Sequence, residues 1–287
     1  MKILTLILAL VSIPVTTHST DIYQFIVWNQ YTDHQQQQHT GSKEFQKFLN
    51  DNGLKPIRVI YHHNFLTKGK PDPEKIKKIA NFSKKNPNIP ISFDIEVGNK
   101  FKPQTILPIV NQTLDLYHEL GGIAPVGIYG TLPQHVSNRE PFNKTQKKKH
   151  SALNTQYESI ATKVDFLSPV IYNFWLKDFS EWKKRTSYNL SEGRKYAQKY
   201  NLKLIPYFSS SYLSRDFPAN KVITPLSEQE MKQRLEYIQS QNVDGIIIWD
   251  TSIGMLENGE KPTFDINKGF GKALFDFQAM KNNDSNK

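Results

Sequence analysis

Seven short runs of apolar, largely β-branched residues punctuate the chain, at positions 22–28, 57–61, 89–95, 125–129, 166–172, 202–208 and 243–249. Between most of them the apolar residues fall three and four apart, a spacing that predicts amphipathic helices over 73–85, 105–120, 151–163, 180–200 and 227–241. Ser227 followed by Glu230 has the form of a capping box at the start of the last of these. Strands alternating with helices predict parallel β/α units, because a parallel pair needs a crossover long enough to hold a helix. An open sheet and a closed barrel both meet that description. The barrel is favoured by the uniform shortness and even spacing of the runs, and by the lack of a glycine-rich turn after the first. It is favoured too by the polar and aromatic residues at their C-terminal ends. The expected fold is α/β, a TIM-like (β/α) barrel with seven strands in place of eight.

In such barrels the active site is built at the C-terminal ends of the strands. Those ends read Trp28-Asn29, Tyr61-His62-His63, Asp94 with Glu96, Tyr129, Tyr172-Asn173, Tyr207 and Trp249-Asp250. Sugars present an apolar face for stacking and hydroxyls for hydrogen bonding, and these residue types supply both. Trp28, Asn29, Tyr129, Tyr207, Trp249 and Asp250 are therefore the candidate sugar-binding residues. Asp94 and Glu96 stand two apart on a strand, so their carboxyls project to one side while Phe93 and Ile95 project to the other. Two like charges held close push one pKa upward, which keeps a general acid protonated near neutral pH. The plainer alternatives are an edge strand with ordinary solvated acids, and aromatics that only cap the barrel core.

The N-terminus bears on compartment. Lys2, an apolar run over 3–15 and the small polar residues 16–20 form the pattern of a secretory signal cut near Ser19. The run is too short to span a membrane. The expected organisation is a signal peptide at 1–19, one catalytic domain at 20–278 and a disordered polar tail at 279–287. The chain has no cysteine, which removes thiol nucleophiles, thiolate metal sites and disulfides, so an exported domain of this size must rely on its core. N-x-S/T sequons at Asn81, Asn111, Asn143, Asn189 and Asn283 would carry glycans only in a eukaryotic secretory pathway.

Lys and Arg number 37 against 27 Asp and Glu, a formal net charge of +10, which suits a polyanionic partner. Each lysine cluster taken singly, 147–149 for example, reads equally as a solvated helix face. No recognition motif for nucleic acid accompanies the charge. His62 and His63 are adjacent and would face opposite ways on a strand, and no zinc-type spacing appears, so no metal is expected. Neither a G-x-S-x-G elbow nor a P-loop is present.

Taken in order, the strand ends resemble the hyaluronidases, glycoside hydrolase family 56. Phe25-Ile26-Val27-Trp28-Asn29 resembles that family's opening strand, and Phe93-Asp94-Ile95-Glu96 its Asp-Phe-Glu strand. Gly127-Ile128-Tyr129-Gly130-Thr131-Leu132-Pro133 is similar to its Gly-Tyr-Tyr-x-x-Pro segment, and Ser168-Pro169-Val170-Ile171-Tyr172 to its Pro-Ser-x-Tyr segment. The stretch from Gly245 to Ser252 is similar to its Gly-Val-x-x-Trp-Gly-Ser segment. The resemblance implies an irregular seven-stranded barrel and a retaining, substrate-assisted mechanism on N-acetylhexosaminidic bonds of a polysaccharide such as hyaluronan or chondroitin. It implies that Glu96 is the general acid and later the base, that Asp94 orients the substrate's acetamido group, and that Tyr172 hydrogen-bonds the oxazoline. It implies Tyr129 and Trp249 in the sugar subsite, and no cofactor or metal. The chain departs from the family where Val97-Gly98-Asn99-Lys100 follows the acids and where Asp250 replaces a usual glycine. The expectation is a secreted monomeric endo-glycosidase acting on an anionic polysaccharide. The competing readings are a family 25 lysozyme-type muramidase and a secreted carbohydrate-binding barrel without catalysis.

Overall fold

Each of the seven apolar runs contributes parallel strand in the computed structural model, which describes residues 20–136 and 142–284, the side chains of 281–284 excepted. The expected signal segment and the side chain of Asn283 lie outside the described residues. In chain order the principal elements are β1 (Asp21–Ile26), α1 (Ser42–Asp51), β2 (Lys55–Pro56), β3 (Arg58–Tyr61), α2 (Pro73–Lys85) and β4 (Ile91–Asp94). There follow α3 (Leu107–Glu119), β5 (Val126–Ile128), α4 (Lys144–Gln156), β6 (Phe166–Leu167), α5 (Phe179–Tyr200), β7 (Lys203–Leu204) and β8 (Tyr207–Ser209). The chain closes with the hairpin β9 (Ser211–Leu213) and β10 (Ile223–Pro225), then α6 (Glu228–Ser240), β11 (Gly245–Asp250) and α7 (Gly269–Asp284). Among the described residues no helix is long and apolar enough to cross a membrane.

The pairings are parallel throughout the main strands. β1 pairs with β11 from Asp21↔Gly245 to Ile26↔Asp250, and with β2 at Tyr23↔Lys55 and Gln24↔Pro56. Only Ile57 separates β2 from β3, and β3 pairs with β4, whose other side pairs with β5. Single bridges join Tyr129 to Ser168 and Val170 to Tyr207. β6 pairs with β7, and β8 pairs with β11.

Both faces of these strands are buried. One row, with Ile22, Ile26, Phe93, Val126, Leu204, Phe208, Ile246 and Ile248, belongs to the large core shared with the helices. Phe93 there meets Phe65 and Tyr117 edge-on, with ring centroids 4.9 and 5.9 Å apart. The alternate row, with Tyr23, Ile57, Phe166, Val170, Tyr172, Ile205, Tyr207 and Ile247, forms a second, separate cluster. Within it Tyr207 donates a 2.8 Å hydrogen bond to Ser92, on a strand that is not its neighbour. Two glycines make room for the large rings: a Cβ on Gly127 would lie 2.5 Å from the Phe166 ring, and one on Gly245 2.9 Å from Tyr23.

Three helical expectations change. α4 begins at Lys144, not at 151, because Asn143 accepts from the Gln146 N–H and caps it there. Its lysine run hid it, having no apolar period; Lys147 instead lies over the rings of Phe142 and Tyr188. The last helix runs to Asp284, through much of the segment expected to be a disordered tail. α1 was not predicted, since its buried residues are Phe45 and Leu49 alone. Of the sequons, Asn189 is buried and donates to the Val170 carbonyl at 2.9 Å, which closes it to a glycan in the folded chain.

The Ser227–Glu230 capping box forms as its spacing predicts, and Glu230 also accepts from Tyr212 of the hairpin. Ser227→Ala should cost about 1 kcal/mol and lower Tm by roughly 2–4 °C, measured by circular dichroism. An unchanged Tm would show that the cap carries no stability.

Candidate active site

Strand alternation decides what the C-terminal ends present. From β4, Phe93 and Ile95 enter the helix-facing core, while Asp94 and Glu96 turn to a cavity of about 280 Å³. The same alternation brings Val59 and Tyr61 from β3, then Tyr129, Tyr172, Tyr207 and Trp249, to its wall. The rings make a continuous aromatic surface. Tyr129 meets Tyr207 edge-on at 5.0 Å, and Tyr172 lies 5.2 Å from Trp249 and 4.5 Å from Phe174.

The two acids differ in setting. Asp94 is buried, its Oδ1 takes no hydrogen bond among the described residues, and Glu96 stands exposed just past the strand end. Burial first, and the neighbouring Glu96 charge second, push the Asp94 carboxyl up to about 7; the Lys100 ammonium opposes them. Burial also raises the phenols of Tyr61, Tyr129, Tyr172 and Tyr207, so all four stay protonated donors at neutral pH. The hydroxyls of Tyr129 and Tyr172 bond to each other.

Lys100 arrives from the turn that follows the acids. The Thr105 hydroxyl accepts from Asn99 N–H at 2.8 Å, and Tyr157 donates to the Lys100 carbonyl at 2.8 Å. Gly98 adopts φ +77° there, and a Cβ would lie 2.8 Å from the Thr105 carbonyl oxygen. The turn so held sets Lys100 Nζ 5.4 Å from the Tyr129 ring centroid.

Three expected sugar-binding residues are not brought to this cavity. Trp28 packs edge-on against Phe270 in the helix-facing core, at 5.4 Å. Asp250 is fully buried, accepting from Ser210 and Ser211 at 2.6 and 2.5 Å and from the Thr251 N–H at 2.7 Å. Burial raises its carboxyl to about 6 against those hydrogen bonds. Asn29 is exposed and lies outside the lining. Trp28 and Asp250 fall on the outward phase of their strands, so adjacent Trp249 and Asp250 could not both face the cavity. The same rule applied to Ile57, Val59 and Tyr61 would have found Tyr61. Phe174, Trp175 and Phe217 come from irregular segments and Leu213 from the three-residue hairpin strand β9, all too short to carry a periodic signal. Among the described residues no group of three or more His, Cys, Asp or Glu is placed to hold a metal ion.

No protein-family model and no curated protein sequence matches the chain. Among solved structures it is similar to bee venom hyaluronidase, with a TM-score of 0.51 at 14% identity over 81% of this chain and 91% of that one. It is also similar to Thermotoga maritima Cel5A in complex with mannotriose, with a TM-score of 0.47 at 12% identity over 90% of this chain and 85% of that one. The likeness is one of fold alone.

A carboxyl raised from 3.8 to about 7 by folding binds its proton more tightly in the folded chain. It therefore withdraws stability progressively as pH rises from about 4 to 7. Asp94→Asn removes that term: its Tm relative to the parent should climb by several degrees over this interval and level off above it, each 1 kcal/mol being worth roughly 2–4 °C. A Tm difference that is flat with pH would contradict the burial of an uncompensated acid.

Proposed function

We propose that the chain is a secreted, retaining endo-glycosidase of the hyaluronidase type. It hydrolyses N-acetylhexosaminidic bonds in an acidic extracellular polysaccharide, on a closed, irregular seven-stranded (β/α) barrel. The observation that carries the reading is the Asp94–Glu96 pair on the wall of an aromatic cavity at the strand ends, with Asp94 titrating near neutrality. Closure is supported by the chain at 55–61, which meets β1 through its start and β4 through its end. The remaining pairings and bridges lead on from β4 strand by strand to β11 and back to β1. The signal-like N-terminus supports export, and the net charge of +10 supports an acidic polymer.

In the proposed reaction the sugar ring stacks on Trp249 and the tyrosines, and its acetamido N–H engages Asp94. The acetamido oxygen attacks the anomeric carbon as the glycosidic C–O bond breaks, and Glu96 gives its proton to the leaving oxygen. This is the substrate-assisted exception to the two-carboxylate scheme. Asp94 stabilises the positive charge that develops on the oxazoline nitrogen, and Tyr172 donates toward the oxazoline oxygen. Glu96, now a carboxylate, takes a proton from water, whose oxygen adds to the anomeric carbon and reopens the ring with retention. The chemistry calls for no cofactor.

Glu96→Gln should abolish formation of reducing ends from hyaluronan or chondroitin, a loss of roughly 10²–10⁴-fold for the proton donor, with the melting curve preserved. Wild-type rates from that variant would end the assignment, as would activity confined to bacterial cell walls. Tyr172→Phe should lower kcat by roughly 10- to 100-fold, the weight of one hydrogen bond to a developing charge. The rate of the parent chain should rise as pH rises toward about 7, where Asp94 gives up its proton and becomes the carboxylate that accepts the acetamido N–H. A rate that falls steadily between pH 5 and 7 would contradict this order of events.

A further inference from the structure

A second cavity, of about 620 Å³, lies beside the first and shares Phe174, Trp175 and Leu213 with it. Three segments build it: the turn after Tyr172, the hairpin β9–β10, and the segment that carries Glu257. They are tied together. Trp175 Nε1 donates to the Ser214 carbonyl at 2.9 Å, and the Leu213 N–H to the Phe174 carbonyl at 3.2 Å. The Ile223 N–H donates to Met255 at 2.8 Å, two residues before Glu257. Behind the hairpin, Tyr212 accepts from Arg234 at 2.8 Å and donates to Glu230 at 2.9 Å, anchoring it to α6. The cleft is thus held open by fixed backbone and not by a chance disposition of surface side chains.

Its charged lining consists of Lys177 and Arg215, both exposed, against the single carboxylate of Glu257. Lys177 forms no ion pair among the described residues; its Nζ stands 5.9 Å from the Tyr212 ring centroid. We propose that this cleft is the subsite for the sugar units adjoining the scissile one. It would take an acidic glycan whose carboxylate or sulfate groups meet Lys177 and Arg215, with the Trp175 ring as the wall common to both cavities. The inference rests on the glycosidase reading and adds to it the direction in which the polymer leaves the catalytic cavity and the sign of its charge there.

The test is isothermal titration of the full chain carrying Glu96→Gln with hyaluronan and chondroitin hexasaccharides, a hyaluronan disaccharide and the neutral chitohexaose. Adding Lys177→Glu and Arg215→Gln should weaken both acidic hexasaccharides by roughly tenfold, as expected for two exposed charge contacts, one of them reversed. The disaccharide and chitohexaose should stay within roughly twofold on the same grounds. Glu257→Gln should act oppositely and tighten the acidic hexasaccharides alone. Acidic hexasaccharides that bind the variants as they bind the parent, an equal loss for chitohexaose, or no binding to the parent overturn the proposal. Turnover by the unsubstituted chain is scored separately. Cleavage with cleft variants that bind normally removes the cleft alone, and cleft-dependent binding without cleavage of any glycan removes the hydrolase and leaves the cleft.

Discussion

Everything at the functional face follows from the fact that side chains on these strands alternate between two buried layers. In a sheet with one wet face, one phase of each strand can be polar without consequence. Here both phases are packed, one against the helices and the other into the cluster around Tyr23, Phe166, Tyr207 and Ile247. Each strand end must therefore divide its last residues between the two. Tyr61, Asp94, Tyr129, Tyr172, Tyr207 and Trp249 continue the inner row, and the cavity is that row where it meets solvent.

The electrostatics come from the same packing. A carboxyl at the end of an inner row has aromatic neighbours and little water, and the unpartnered Asp94 Oδ1 records that shortage. Desolvation outweighs the Lys100 charge, so the carboxyl holds its proton up to about 7. Asp250, equally buried, lies on the other phase and is satisfied by two serines and a backbone amide. Two buried acids in one barrel-like core thus take different parts. One is hydrogen-bonded to the structure and the other faces the cavity with its Oδ1 unpartnered.

The rim is a different construction. The turn after Glu96 is shaped by Gly98 and Thr105, and the hairpin after Ser209 by its contacts with Trp175 and α6. These are the segments in which the chain departs from the hyaluronidase pattern or lacks any pattern at all. They set the charge and the width around the aromatic cavity wall, and specificity is expected to reside in such loops.

The strands were legible because burial on both faces leaves short, dense apolar runs that loops and helices do not imitate, and the acid pair was legible because a spacing of two has one meaning on a strand. Helices such as α4 were misplaced because caps and cation–ring contacts, not an apolar stripe, determine their limits. Trp28 and Asp250 were misassigned because proximity along the chain was read as proximity in the site, although adjacent strand residues face opposite layers. Tyr61 was passed over for want of the same rule. By itself, then, the sequence determined the order of the seven strand runs and most of the helices between them, the same-side spacing of Asp94 and Glu96, and a tyrosine- and tryptophan-rich set of strand ends, since these depend on local period and residue type. Only the tertiary structure decided which acid is desolvated, which aromatics share a wall, and where the second cleft lies. Those properties depend on groups distant in sequence being brought within a few ångströms, and no local pattern encodes that.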